Sequence, residues 1–172
     1  MPKRVYVNVV DHRLFNDGAV CEDVTGVGLP TLEHPTTAIE NVSGMLGNID
    51  MPNQHRFSAM EFTVTHNNGV GCNRLHQPGK HNIEFRVARQ KYMTSEAEID
   101  VESVKYRVLC TYRSTEQGNI ETGSPIGSTD RFSVLRFEKI VDGVQETLID
   151  IPAGSHVVNG INYNEDIEAI LN

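Results

Sequence analysis

RFSVLRFEKIV-DG-VQETLIDI, residues 131–151, consists of two segments of alternating polar and apolar residues separated by Asp142 and Gly143. Asp-Gly tolerates the positive φ angles of a tight primed turn, so this stretch predicts a β-hairpin in which Val141 pairs with Val144. We therefore expect a fold organised around antiparallel strands.

The register set by this turn places Lys139 opposite Glu146 and Phe137 opposite Leu148. One face of the hairpin then suits a core; it carries Leu135, Phe137, Val141, Val144 and Leu148. The other face mixes apolar and charged side chains, either because a partner subunit covers it or because the hairpin lies at the rim of a monomeric sheet. Its candidates for a contact between subunits are Val134, Arg136, Ile140 and Ile149.

The end of the chain predicts a short helix. Asn164 suits the N-cap, and the acidic residues that follow complement the helix dipole. Ile167, Ile170 and Leu171 fall on one face, so we expect this helix to dock on the sheet.

Composition restricts the class of protein. At 172 residues, with 38% hydrophobic and 22% charged residues, the chain predicts one globular domain over residues 1–172. A net charge of −8 disfavours a nucleic-acid-binding surface, and the absence of tryptophan disfavours stacking on sugars or bases. Three cysteines without a Cys-x-x-Cys spacing imply no disulfide framework. The first apolar run is too short for a signal peptide, and no run has membrane-spanning length, so we expect a cytoplasmic protein.

Further strands are predicted upstream, over residues 5–10, 21–32, 57–66 and 83–88. The most informative strand spans residues 97–113, where acidic residues at even positions give way to apolar ones from Val104 onwards. A strand cannot change the type of residue on one face without a register break, so we predict a β-bulge or bend near residues 101–104. The acidic row should be solvated, on a wet face or in a polar lumen.

Residues 33–56 show neither a strand period nor a helix period and contain several Gly, Pro and Asn residues. Compact domains seldom keep a connection of roughly twenty residues unless it has a task. We interpret it as an extended arm that reaches another molecule, with a mobile surface loop as the alternative.

Chemistry-bearing motifs are scarce. Cys72-x3-His76-x4-His81 is the one cluster that resembles metal ligation, but it lacks a second cysteine and a zinc spacing, and histidines of a polar loop are the alternative interpretation. The sequence has no nucleophile elbow, phosphate loop or His-Glu-x-x-His motif. We therefore expect neither catalysis nor a cofactor.

Several motifs, in chain order, resemble a known family. They are LFNDG at 14–18, VGLPTL at 27–32, GMLGNID at 44–50, FRVARQKY at 85–92, DGVQETLIDI at 142–151 and VNGINY at 158–163. Together they resemble the major tail tube proteins of contractile-tailed phages and R-type bacteriocins. The sequence departs from that family at residues 67–79, where glycines replace a frequent helix.

The resemblance implies a mainly β (α+β) chain: an antiparallel β-barrel or sandwich protomer with a short C-terminal helix and a long extended loop. Such protomers form homohexameric rings that stack into a tube inside a sheath protein, between a baseplate initiator and a tail terminator. DNA passes through the lumen without specific binding. The particle would be a virion tail or tail-like particle assembled in the bacterial cytoplasm.

Within that interpretation, acidic strand residues are candidates for the lumen wall, although Lys105 and Arg107 make the lining mixed. The lumen candidates are Glu61, Glu96, Glu98, Asp100, Glu102 and Glu138. The candidates for contacts between rings, on the arm, are Ile39, Met45, Leu46, Ile49 and Met51. Alternatives from other classes are a type VI secretion-like tube protein and a β-sandwich carbohydrate-binding module.

Overall fold

The computed structural model describes residues 3–172, and strands dominate it. The strands are β1 Arg4–Asn16, β2 Ala19–Cys21, β3 Val24–Gly28, β4 Thr36–Ile39, β5 Ile49–Pro52, β6 Glu61–His66, β7 Lys80–Met93, β8 Glu98–Glu116, β9 Ser128–Val141, β10 Val144–Asp150, β11 Ser155–Val158 and β12 Ile161–Asn162. A 3₁₀ turn spans Cys72–His76, and one helix, α1, spans Glu165–Leu171. The predicted mainly β class with a short C-terminal helix is confirmed.

The main sheet has the strand order β12-β11-β10-β9-β8-β7-β1-β2. All neighbouring strands in it are antiparallel. The first half of β9 also pairs with β6, which pairs with β3. This branch folds over the main sheet and encloses a core that includes Leu14, Phe62, Leu75, Ile83, Val108 and Phe132. Over the described residues the arrangement is sandwich-like rather than a closed barrel.

The β9–β10 hairpin confirms the predicted turn and corrects the predicted register. Asp142 and Gly143 have φ angles of 47° and 81°, and Val141 pairs with Val144. A register shift between Gln145 and Thr147 then leaves an extra residue, so Ile149 rather than Leu148 lies opposite Phe137. After this bulge, each remaining side chain of β10 lies on the face of the sheet opposite to the predicted one.

A second register shift, in β9, likewise exchanges the two faces on which its side chains lie. Against β8, the register shifts between Arg136 and Val134, which leaves Leu135 as the extra residue. Val134 is 7% exposed and Ile149 is 1% exposed, so the prediction that these two residues lie on the hairpin face available to a partner subunit is wrong: they belong to the core. Arg136 and Ile140 are half-buried.

Strand β8 keeps an unbroken register with β7 from Glu98 to Thr111, so the register break predicted near residues 101–104 is wrong. Glu102 lies on the same face as Val104 and is 3% exposed. The face accommodates a carboxylate because Arg89 lies opposite on β7 and pairs with it.

The arm is more regular than its sequence predicts. Strands β4 and β5 form a separate two-stranded ribbon, from Thr36 paired with Pro52 to Ile39 paired with Ile49. Within the arm, residues 33–35, 40–48 and 53–56 remain irregular. The expectation of an irregular segment throughout is therefore wrong, because cross-strand pairing forms without a clear alternation in sequence.

The cysteines also differ from expectation. Cys21 and Cys72, 51 residues apart in sequence, form a disulfide that joins β2 to the 3₁₀ turn. Cys110 is free, and burial raises the pKa of its thiol to about 12. Among residues 3–172, no helix has the length and apolar character required to span a bilayer.

Candidate functional site

One end of the main sheet projects beyond the core. We define this projecting ribbon as residues 4–10 of β1, 90–93 of β7 and 98–101 of β8, in which β7 is the central strand. Its apolar side chains are exposed in the isolated chain; they include Val5, Val7, Val9, Ile99 and Val101. Ile99 and Val101 lie on the face of Tyr92 and Gln90, whereas Val9 lies opposite Arg89 on the other face. Exposed apolar side chains on both faces of one ribbon indicate association with another molecule.

Both outer edges of the projecting ribbon are open. β1 pairs with β2 only from Leu14 onwards, and β8 pairs with β9 only from Val104 onwards. Within the described part of the chain, the main-chain groups along these two edges therefore have no neighbouring strand. Unpaired edges readily accept a strand from another chain.

Three of the six acidic lumen candidates lie at the tip of the ribbon. Glu96 is in the connection between β7 and β8, and Glu98 and Asp100 follow on β8; all three are exposed. Asp100 accepts a hydrogen bond from the Val101 amide and lies 3.2 Å from Lys91 Nζ, and both interactions lower the pKa of its carboxyl group.

The other three candidates are paired on the body of the sheet. Glu102 binds Arg89 at 2.6 Å, and Glu138 accepts a hydrogen bond from Gln145 at 2.7 Å. Glu61 contacts two arginines, the nearer being Arg113 at 2.7 Å. Each of these three carboxylates has a positive side chain within 4 Å, which for Glu138 is Arg107 at 3.9 Å.

A charged patch that sequence reasoning did not single out surrounds Glu84 on the outer face of β7 and β8. Arg86, Lys105 and Arg107 all contact its carboxylate. Burial opposes its ionisation, but the hydrogen bond from Arg86 and the neighbouring positive charges hold the pKa of Glu84 below its usual value. The signal was present in the sequence as charges at alternate positions on both strands.

The arm presents its predicted contact residues to solvent. Leu46 is fully exposed, Met45, Ile49 and Met51 are 39–49% exposed, and Ile39 is half-buried. The base of the arm is fixed, since the Asn53 amide donates to the Pro35 carbonyl at 2.8 Å.

A group of rings, which we name the arm-base cluster, joins this base to the closing segment. It consists of His34, His55, Phe57, His156 and Tyr163. The Phe57 ring lies 4.6 Å from that of His34 and 4.8 Å from that of His156. Burial, followed by the charges of His34 and His55, lowers the pKa of His156.

The closing helix forms where predicted, but its apolar face is not docked. Ile170 and Leu171 are 78% and 79% exposed. Asn164 does not cap the helix with its side chain, which donates instead to the Gly154 carbonyl at 2.9 Å. An open groove lies between this helix and β10, with Phe57, Ile151 and Ile167 among its lining residues.

Cys72, His76 and His81, whose spacing only resembles metal ligation, do not come together as a cluster. Cys72 is in the disulfide, and His81 is hydrogen-bonded to Asn16 at 3.1 Å and to the Gln77 carbonyl at 2.7 Å. His76 lies instead beside His66 of β6 and Asp130 of β9.

The family model for phage tail tube protein FII matches residues 8–171. The chain belongs to that family. The resemblance read from the motifs is thereby confirmed for almost the whole tail tube chain.

Among solved structures, the tail tube chain is similar to the sheath/tube terminator of PVC, an extracellular contractile injection system, in its extended state. The TM-score is 0.53 at 12% identity, over 78% of this chain and 96% of the other. At that identity the likeness concerns the fold. A comparison with curated proteins finds no match.

Proposed function

We propose that this tail tube family member forms homohexameric rings that stack into the inner tube of a contractile phage tail or an R-type bacteriocin. The observation that carries the proposal is the projecting ribbon with its two open edges and exposed apolar side chains. Family membership supports a tail tube role, to which the ribbon adds a means of assembly.

Edge pairing would close the ring. The β1 edge of one ribbon would pair with the β8 edge of the next, so that neighbouring ribbons form one continuous sheet around a channel. Closure removes the exposed edges, as in any barrel. The two edges differ, so the contact is head-to-tail and closes only through rotational symmetry.

Stacking of rings would use the arm and the groove beside α1. Met45 and Leu46 at the arm tip need an apolar site, and the exposed Ile170 and Leu171 beside the groove offer apolar surface. Contacts between stacked rings do not close on themselves, so they produce a filament whose length another component sets.

The ribbon tip would face the channel. Glu96, Glu98 and Asp100 would then give the wall negative charge that repels DNA phosphates, so that DNA, or ions in a bacteriocin, pass without binding. We propose the surrounding sheath, the baseplate initiator and the tail terminator as protein partners, and a virion tail or tail-like particle assembled in the bacterial cytoplasm as the location. The proposal involves no catalysis and no cofactor.

A tube terminator is the second candidate function, because the similar solved structure is a sheath/tube terminator. A terminator caps a tube and would stop at a single ring. Ring formation is common to both proposals, whereas stacking distinguishes them.

Electron microscopy of the purified protein, concentrated over a salt series with and without sheared tail tubes as seeds, tests both proposals. Hollow rods of stacked six-fold rings support the tube, and isolated rings that cap the seeds support the terminator. Monomers under every condition, including with seeds, would refute ring assembly.

A further inference from the structure

Two histidines and an aspartate from separate parts of the chain converge at one end of the core. We name His66, His76 and Asp130 the His–Asp cluster. His66 Nε2 lies 2.7 Å from Asp130 Oδ2, and His76 Nε2 lies 3.1 Å from Asp130 Oδ1. One ligand atom from each residue can be chosen so that all three lie within 4.8 Å of one another.

The backbone holds these side chains in place. His66 ends β6, and Asp130 lies near the start of the neighbouring strand β9. His76 ends the 3₁₀ turn, whose first residue is held to β2 by the Cys21–Cys72 disulfide. Ligands on fixed elements need little reorganisation to bind an ion.

Hydrogen bonding leaves one atom of the cluster without a partner. The side chains of His66 and Asp130 are fully buried, and Asp130 also accepts a hydrogen bond from Thr115 at 2.6 Å. The buried Nε2 of His76 forms no hydrogen bond, because its approach to Asp130 lacks hydrogen-bond alignment. A buried ring nitrogen that lies 3.1 Å from a carboxylate oxygen without a hydrogen bond to it is free to coordinate an ion placed between them.

We propose that the His–Asp cluster binds one Zn²⁺ ion through His66 Nε2, His76 Nε2 and an oxygen of Asp130, with water as the fourth ligand. Two imidazoles and a carboxylate form a donor set that Zn²⁺ accepts in tetrahedral geometry. Ligand atoms in such a site are separated by about 3.3 Å, given metal–ligand distances of about 2.0–2.2 Å, so small side-chain rotations suffice. The side chain of His76 is one-third exposed, which gives the ion and the water a route from solvent.

Binding requires a proton to move on His66. The Nδ1 atom of His66 accepts a hydrogen bond from the backbone N–H of Asn68 at 3.1 Å. The neutral ring therefore carries its proton on Nε2, which donates a hydrogen bond to Asp130. Zn²⁺ displaces that proton to solvent, and a neutral metal-bound ring takes up one at Nδ1, which breaks the Asn68 hydrogen bond. The ion thus replaces hydrogen bonds with coordination bonds and links residues 67–76 to the sheet.

Titration of the metal-free, oxidised full-length chain with ZnCl₂ in a calorimeter tests the site. We expect one Zn²⁺ per chain, and His76→Gln should weaken binding by at least about tenfold because it removes a ligand. His55→Gln, which alters an exposed histidine outside the cluster, is the matched control and should bind as the unmodified chain does. Keeping the disulfide oxidised prevents binding to free thiolates.

Amide NMR of the same titration supplies a second measurement that does not rely on a variant. The Asn68 signal should shift and exchange faster with solvent when Zn²⁺ binds, since its acceptor is lost. Four outcomes would each overturn the proposal in favour of a metal-free hydrogen-bonded cluster. They are absence of Zn²⁺ binding, equal affinity in His76→Gln and the unmodified chain, an equal loss of affinity in His76→Gln and His55→Gln, and an unchanged Asn68 signal.

Discussion

Arg89 and Glu102 form an ion pair in register across β7 and β8, with Arg89 Nη2 2.6 Å from Glu102 Oε2. Arg89 also lies over the Tyr6 ring, 3.9 Å from its centre. Burial works against the guanidinium charge, yet the hydrogen bond and charge of Glu102 raise the pKa of Arg89 above its usual value. The pair occurs where the core ends and the projecting ribbon begins, so it joins the two.

Substituting Glu102→Gln should therefore destabilise the monomer. The change leaves Arg89 partly buried without a counter-charge, which should lower the free energy of unfolding by about 2–3 kcal/mol. Urea denaturation measures the loss, and Glu98→Gln, at an exposed position on the same strand, should change stability by less than about 0.5 kcal/mol. Equal effects of the two variants would show that Glu102 behaves as a surface residue.

The same strand shows what sequence could and could not predict. Alternation correctly indicated strands and the Asp142–Gly143 turn, because turn chemistry and side-chain period are local. It failed at Glu102, because the arginine that permits its burial lies on another strand. It failed at Ile149 because single extra residues, which no local pattern marks, turn β9 and β10 over.

For the candidate surfaces too, local sequence predicted some features, and others depend on parts of the chain that are distant in sequence. Exposed apolar residues of the arm were predicted individually, whereas the open edges of the ribbon follow only from the topology. The Cys21–Cys72 disulfide likewise depends on proximity across 51 residues, which spacing cannot give. The His–Asp cluster was missed because Asp130 is remote in sequence from both histidines.

Ile99→Lys should leave the monomer folded and prevent ring formation. Ile99 is 67% exposed in the monomer, but in the proposed ring it lies at a strand edge covered by the next subunit. Val70→Lys is the matched control, because Val70 is 74% exposed and its loop is hydrogen-bonded next to β2, at the end of β1 opposite the ribbon. Electron microscopy and sedimentation should detect rings in the control alone; normal rings from Ile99→Lys would contradict edge pairing.

Leu46→Asp should block elongation without affecting the fold. The Leu46 side chain is fully exposed in the monomer, so the midpoint of unfolding should not change measurably. In the stacked rings, however, the substitution would place a charge in an apolar contact. Ile120→Asp, at an 88% exposed position on another loop, should assemble normally. The measurement is rod length in negative stain, and long rods from Leu46→Asp would count against the arm as a stacking element.

Reversing charge at the ribbon tip tests the channel wall. Tubes of Glu96→Lys/Glu98→Lys should retain fluorescent DNA fragments at low salt, and the retention should fall steeply as salt rises, because Lys binds phosphates with release of counterions. Glu116→Lys/Glu121→Lys adds the same charge at exposed positions away from the ribbon tip. Equal DNA retention in both variants after nuclease digestion of accessible DNA would place the ribbon tip outside a protected channel.

Acidification should loosen the arm base. In the unfolded chain His156 titrates at a pKa of about 6.5, whereas burial and the charges of His34 and His55 lower its pKa in the folded chain. Between these two values the unfolded chain binds more protons, so the stability contributed by neutral His156 is complete above about pH 6.5 and is lost as the pH falls through the folded pKa. The free energy of unfolding should therefore fall less between pH 7.5 and pH 5.5 in His156→Gln than in the unmodified chain. The difference between the two chains is the pH-dependent contribution of one titrating group. His12→Gln, outside the cluster, should keep the full dependence, and hydrogen exchange should show the arm-base amides opening first. The same pH dependence in His156→Gln and the unmodified chain would exclude His156 as the source.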